Sequence, residues 1–296
     1  MKIAITGASG FLGRNLIDEL KPDHRIRGLT RNVSANRDDE IDWLPGDLED
    51  PESLDCLVDG CDAVVHAAVA MRGNSFIGGE GDPIEYLQAN VMGTARLIEA
   101  AVDAGCGRFV FVSTGAVHGK TLPGEIDETH PHWPTSLYGI YKASCESLVH
   151  GYASMGKIVA STIRPVSIYG IDEPIGESRY AGLVGDILGG RQVDISGGGK
   201  VVHVRDVAGA IRLILETAPE RVSGQTFNAV DRYVPIAEVA DIASELCGVR
   251  MKSLGQPASK ASNMLNAKLR SLGFNFGGIE LLKETISQLV RGLGSS

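Results

Sequence analysis

The stretch Lys2-Ile3-Ala4-Ile5-Thr6-Gly7-Ala8-Ser9-Gly10-Phe11-Leu12-Gly13 decides the fold. A short run rich in β-branched residues leads into three glycines spaced G-x-x-G-x-x-G, and an amphipathic pattern near 11–20 follows at once. Glycines so placed allow a sharp turn, a close backbone approach to a ligand, and tight packing of helix on strand. The helix opening there offers free backbone N–H groups and the positive end of its dipole, a setting that suits a pyrophosphate. Strand, glycine loop and helix in this order predict a dinucleotide-binding α/β fold. Gly7, Gly10, Phe11, Leu12 and Gly13 are the expected cofactor contacts.

Working outward, strand-like runs at 2–6, 25–30, 62–67, 108–114 and 157–163 alternate with helical patterns near 11–20, 50–58, 83–104 and 137–155. Parallel strands need crossover connections, so this alternation predicts a doubly wound parallel sheet of Rossmann type with helices on both faces. The strands are nearly continuous in apolar residues, as expected when both faces are covered. Beyond residue 170 the pattern loosens into a helix at 180–189, a strand at 201–205, a helix from Asp206 and a strand at 225–229. The expected organisation is a dinucleotide-binding domain over 1–170, to which 201–229 returns. A smaller, mostly helical C-terminal substrate region is expected over 171–200 and 230–296. The glycine-rich patch 72–82 reads as a loop shaping the pocket.

Composition narrows the function. Glycine makes up 37 of 296 residues, well above the usual share of about 7%. The excess has no three-residue period, and 43% of residues are hydrophobic, which excludes a fibre or a disordered polymer. Lys and Arg total 28 against 37 Asp and Glu, a net charge of −9. That balance argues against a nucleic-acid or anionic-membrane surface. No run approaches the roughly 20 apolar residues that cross a bilayer. The opening residues already read as a strand, leaving no room for a signal peptide. Five cysteines, with no C-x-x-C pair, read as reduced thiols and point to a cytoplasmic protein. No His/Cys cluster has metal-ligand spacing, so no metal is expected.

The second strand ends Gly28-Leu29-Thr30-Arg31-Asn32. An acid at this point would hold the ribose hydroxyls of NAD; an arginine suits the 2′-phosphate of NADP. Arg31 therefore favours NADP, with NAD as the alternative. Farther along, Tyr138 and Lys142 stand four apart, one turn along a single helix face. An ammonium beside a phenol stabilises the phenolate, which lets tyrosine exchange a proton with a substrate alcohol. Thr114, at the end of the strand-like run 108–114, is placed to hold the same oxygen. Thr114, Tyr138 and Lys142 are the candidate catalytic residues, and Tyr141 is expected to point elsewhere.

These features resemble the extended short-chain dehydrogenases/reductases, the NAD-dependent epimerase/dehydratase family. The resemblance runs along most of the chain. It rests on Thr6–Gly13, Gly46-Asp47-Leu48, His66-Ala67-Ala68, Asn90 in Ala89-Asn90-Val91, Val112-Ser113-Thr114, Asp127-Glu128, Tyr138 with Lys142, Ile163-Arg164-Pro165, Tyr169-Gly170 and Val204-Arg205-Asp206-Val207. It implies that Asp47 and Leu48 lie along the adenine and that Ala67 and Ala68 line the cofactor path. It also implies that Lys142 bonds the nicotinamide ribose, and it adds Asn90 and Pro165 to the cofactor contacts. His66 reads as a packed strand-end residue. A homodimer through the two long helices is the expected assembly.

Three departures from the family pattern bear on substrate. Gly115-Ala116 follow Thr114 where family dehydratases carry an acidic pair, so no acid–base pair for eliminating water is present. His118 stands in Val117-His118-Gly119 where a tyrosine is usual. Gly197-Gly198-Gly199-Lys200 replaces the arginine with which nucleotide-sugar epimerases grip a diphosphate, leaving Lys200, and Arg179 or Arg191 if they lie near. The leading reading is an NAD(P)-dependent oxidoreductase acting on a secondary alcohol or ketone of a small polyhydroxylated, sugar-like substrate. A nucleotide-sugar epimerase similar to UDP-glucose 4-epimerase, with tightly bound NAD, is the alternative, and a non-catalytic NADP(H)-sensing protein is the third.

Overall fold

The computed structural model describes residues 1–35, 38–71, 73, 75–256 and 263–294. In chain order the first half contains β1 (Lys2–Thr6), α1 (Phe11–Leu20), β2 (Arg25–Thr30), β3 (Asp42–Pro45), α2 (Pro51–Val58), β4 (Ala63–His66), α3 (Pro83–Leu87), α4 (Gly93–Asp103) and β5 (Arg108–Val112). Then follow β6 (Glu125–Ile126), α5 (Leu137–Ser154), β7 (Val159–Pro165), β8 (Ser167–Tyr169), α6 (Ala181–Leu188), β9 (Gln192–Asp194) and β10 (Gly198–His203). The last part holds α7 (Val204–Glu216), α8 (Pro219–Val222), β11 (Thr226–Ala229), β12 (Arg232–Pro235), α9 (Ile236–Cys247), β13 (Lys252–Leu254), β14 (Asn263–Met264), α10 (Ala267–Ser271) and α11 (Gly278–Gly294).

Seven parallel strands form the main sheet in the order β11-β7-β5-β4-β1-β2-β3. The doubly wound Rossmann fold expected from the sequence is therefore present. The order reverses between β1 and β4, and such a switch point opens a crevice at the carboxyl ends of the strands. Every residue of β4 is buried, as its Ala-Val-Val-His sequence requires of a central strand covered on both faces. One apolar core lies under α1 and α7, including Leu16, Leu20, Ile211 and Ile214. The opposite core holds Leu54, Leu97, Ile98, Tyr141 and Val149 from α2, α4 and α5. A third, comprising Val184, Ile187, Val239, Leu282 and Ile286, belongs to the C-terminal helices α6, α9 and α11.

Three elements differ from expectation. β3 was not foreseen, because a four-residue edge strand bounded by Asp42 and Pro45 carries little periodic signal. The helix expected over 83–104 is interrupted by one π-helical turn at Gln88–Met92. The return to the main sheet does not begin at 201: β10 pairs with β8 and β12 in a separate three-stranded sheet. Within 201–229, β11 joins the main sheet beside β7, and α7 and α8 pack on that sheet.

A buried ionic cluster joins α5 to β7. Arg164 places Nε 2.9 Å from one Glu146 oxygen and Nη2 2.6 Å from the other, with both side chains at most 5% exposed. The Ser113 hydroxyl donates to the same carboxylate. His132 Nε2 lies 2.5 Å from Arg164 Nη2. Removing one partner of such a pair leaves an uncompensated buried charge, whereas an exposed pair contributes little. Arg164→Ala is expected to lower the unfolding free energy by about 3–5 kcal/mol in urea denaturation. Arg191→Ala, which breaks the exposed pair with Asp186, is expected to change it by less than about 1 kcal/mol.

Candidate active site

A cavity of about 1090 Å³ opens along the carboxyl ends of β1, β2, β4, β5 and β7. Ordinary ligand pockets run from about 300 to 1,000 Å³, so this one has room for a dinucleotide and a second molecule. Gly7, Gly10, Phe11, Leu12, Gly13, Arg31, Asp47, Leu48, Ala67, Ala68, Thr114, Tyr138, Lys142 and Pro165 all line it. Fourteen positions read from the sequence thus converge on one space, from strands far apart in the chain. Asn90 does not.

The glycine loop is built for close approach. Gly7 has φ +71° and would put a Cβ 2.8 Å from the Ala68 nitrogen; a Cβ on Gly13 would stand 2.1 Å from the Gly7 carbonyl oxygen. Neither position accepts a side chain. At the start of α1, Gly10 supplies no side-chain cap, and no acid occupies the first turn. The helix therefore presents uncompensated N–H groups and a positive dipole end to the cavity. These features fit the pyrophosphate of a dinucleotide. Arg31 is exposed at the end of β2, and among the described residues no carboxylate pairs with it.

The end of β4 is fixed by a directional chain of hydrogen bonds. The Thr94 hydroxyl donates to the Asn90 carbonyl at 2.7 Å, so Thr94 Oγ1 must accept from His66 Nε2 at 2.8 Å. His66 Nδ1 then accepts from the Thr6 hydroxyl at 2.6 Å, and Thr6 Oγ1 accepts from the Ala68 N–H at 3.2 Å. Burial, followed by the Lys142 charge, pushes His66 down to about 3 and keeps it neutral. It is a packed strand-end residue. The side chain of Asn90 is fully engaged, accepting from the Ala70 N–H at 2.8 Å and donating to the Ala70 and Tyr86 carbonyls. The π-helical turn aims this amide at the Ala70 backbone, away from the position expected of a cofactor contact. It shapes the Ala67–Ala70 wall from behind.

At the end of β5 the three catalytic candidates meet. Ser136 caps α5 by accepting from the Gly139 N–H at 3.1 Å, and this starts the helix where Tyr138 faces the cavity. Lys142, 1% exposed, donates from Nζ to the Val112 carbonyl at 2.5 Å, and its Nζ lies 6.0 Å from the centre of the Tyr138 ring. Tyr138 is hydrogen-bonded to Thr114. Tyr141 points away, fully buried, with its hydroxyl 3.3 Å from the Ala68 carbonyl oxygen.

The electrostatics differ from the expectation of a depressed phenol. Burial pushes Tyr138 up to about 12, with the Thr114 hydrogen bond acting in the opposite direction. Burial also brings Lys142 down to about 7, although Cys145 and Glu146 act to raise it. The lysine faces a carbonyl rather than the phenolic oxygen, and burial keeps the proton on Tyr138.

Several neighbours were not singled out in the sequence as site residues. The Phe76 ring lies 5.3 Å from that of Tyr138, and Phe76 and Ile77 line the cavity while staying exposed. Their place in the glycine-rich loop was the available signal; Arg72 and Asn74 of that loop lie outside the described residues. Arg179 and Lys200 both line the cavity, whereas Arg191 pairs with Asp186 and does not. Met264 also reaches the cavity, from β14, without any motif to mark it.

The Lys142 environment has a measurable consequence. Between the folded value of about 7 and the unfolded 10.5, the unfolded chain holds a proton that the folded chain lacks. Stability therefore rises with pH across that window, and the destabilisation is fully present below it. Compared with Lys142→Met, the wild-type protein is expected to gain up to about 1.4 kcal/mol per pH unit there, read from urea denaturation at several pH values. A constant difference would contradict this.

The profile of the NAD dependent epimerase/dehydratase family matches residues 3–229. A UDP-glucose 4-epimerase of Mycolicibacterium smegmatis is 30% identical over 245 residues, covering 77% of this chain and 76% of that protein. A UDP-glucose 4-epimerase of Vibrio cholerae is 31% identical over 173 residues, covering 57% of this chain and 52% of the relative. The chain spans about half the length of the first curated relatives it matches. The crystal structure of Thermotoga maritima UDP-glucose 4-epimerase with UDP-glucose superposes with a TM-score of 0.81 at 22% identity, over 100% of this chain and 99% of that one. At that identity the likeness is one of fold. The sequence profile and a relative matched over about three quarters of both chains agree with the glycine loop and the Tyr138–Lys142 helix: the chain belongs to the NAD-dependent epimerase/dehydratase family of extended short-chain dehydrogenases/reductases.

Proposed function

We propose that this protein moves a hydride between a nicotinamide dinucleotide and a secondary alcohol or ketone carbon of a sugar-like substrate. The observation that carries the reading is the meeting of Thr114, Tyr138 and Lys142 at one end of the cavity whose other end is the glycine loop. A bound nicotinamide supplies or accepts the hydride. Tyr138, held as a phenol by burial, donates its proton to the carbonyl oxygen in the reductive direction and recovers it in the oxidative one. Thr114 fixes that oxygen. Lys142 holds α5 against the end of β5 and provides the positive charge that a phenolate needs. The turn Gly115–Val117 carries no carboxylate, so elimination of water lacks its acid–base pair there.

For the cofactor, Arg31 on the cavity wall and the absence of an acid in Gly28–Asn32 support NADP. A second reading, epimerisation of a nucleotide sugar, is favoured by one finding. A Cβ on Gly199 would stand 4.0 Å from Arg179 Nη2, so the Arg179 guanidinium lies beside the glycine run, with Lys200 on the same cavity. Two cations thus face the space where the family arginine is missing, and they suit a diphosphate.

Tyr138→Phe is expected to reduce turnover by about 10²–10⁴ while leaving dinucleotide affinity nearly unchanged by calorimetry; unaltered turnover would remove Tyr138 from the chemistry. NADPH is expected to bind about tenfold or more tightly than NADH, with Arg31→Ala abolishing the difference. Denaturing the freshly purified protein separates the two readings. Stoichiometric release of NAD supports the epimerase, and an empty site that takes up NADPH reversibly supports the reductase.

A further inference from the structure

His118 follows the short turn that begins at Thr114 and lines the same cavity. Its ring is 2% exposed and sits in a cluster of three imidazoles, with centroids 5.0 Å from His130 and 5.8 Å from His132. The other two have partners at Nε2. His130 accepts there from the Leu122 N–H at 3.0 Å, and His132 Nε2 meets Arg164 Nη2. His118 Nδ1 faces the Pro131 carbonyl oxygen at 3.4 Å, while His118 Nε2, buried, has no partner among the described residues.

A carbonyl oxygen only accepts, so the nitrogen facing it carries the hydrogen and the opposite nitrogen keeps its lone pair. Burial, then the neighbouring charge of Arg164, opposes protonation of this ring and holds it down at about 4. A buried acceptor without a donor is costly, and a ligand hydroxyl would satisfy it.

We propose that Nε2 of His118 accepts a hydrogen bond from a hydroxyl of the substrate, which makes His118 a specificity-determining residue selecting a hydroxylated sugar over its deoxy analogue. The inference rests on the reading of a sugar-like substrate in this cavity. It gives a role to the residue that replaces the usual tyrosine, and the role is recognition rather than proton transfer.

The test combines nitrogen NMR of protein carrying isotopically labelled histidine with calorimetric binding of UDP-glucose and each of its monodeoxy analogues. Wild type, His118→Phe and His118→Gln are compared with NAD present. The expected spectrum shows a protonated Nδ1 and a bare Nε2, and the Nε2 signal moves when UDP-glucose binds. His118→Phe should weaken UDP-glucose binding about tenfold or more but leave one monodeoxy analogue unaffected, and His118→Gln should restore the discrimination. A hydrogen found on Nε2, an Nε2 signal unmoved by bound UDP-glucose, or an equal loss for every analogue would overturn the proposal; equal loss means a packing or water-holding role only. If wild type binds no UDP-glucose, the nucleotide-sugar reading fails separately, and the position of the hydrogen on His118 still decides between an acceptor and a donor.

Discussion

The buried ammonium of Lys142, directed at the Val112 carbonyl, is the constraint on which the site depends. A charged group inside a protein is tolerated only where its donors are satisfied, and here the strand end supplies the acceptor. That contact fixes the start of α5 against the end of β5. It sets Tyr138 opposite Thr114, and it places Tyr141 under the Ala68 carbonyl as part of the core. The Arg164–Glu146 pair braces the same junction one turn farther along α5 and ties in Ser113 beside Thr114.

The other half of the cavity rests on the absence of side chains. Gly7 and Gly13 bring β1, α1 and the end of β4 closer than any Cβ would allow. The Thr6–His66–Thr94–Asn90 chain then holds the facing wall in place. The glycine floor and the polar corner of Thr114, Tyr138 and Lys142 thus line one crevice at the carboxyl ends of the sheet strands. Arg179 just before α6, Lys200 of β10 and Met264 of β14 complete the lining from the later part of the chain, residues absent from the motifs that identify the family.

Much of this was legible in the sequence because it follows from local rules. The glycine spacing, the strand–helix alternation and the four-residue step from Tyr138 to Lys142 each have a direct geometric meaning, and the sheet and cavity conform to them. What escaped depended on distant partners. β3 is too short to show periodicity, and the allegiance of β10 was decided by β8 and β12. Asn90 carries a family motif, but a π-helical turn directs its amide to the Ala70 backbone. Sequence left Arg179 and Arg191 as alternatives beside the glycine run; Arg179 lies by Gly199, and Arg191 pairs with Asp186. The direction of the Tyr138 shift was also hidden, because burial outweighs a lysine that faces elsewhere.

We propose that this cavity exchanges a hydride with a hydroxyl-bearing carbon while Tyr138 handles the proton. Isotope transfer tests it most directly. The protein, loaded with oxidised dinucleotide, is incubated with UDP-glucose deuterated on its sugar carbons, and the recovered dinucleotide is weighed by mass spectrometry. The account predicts deuterium on the nicotinamide ring with wild-type protein and almost none with Tyr138→Phe. A ketone product formed by wild-type protein together with unlabelled reduced dinucleotide would contradict it.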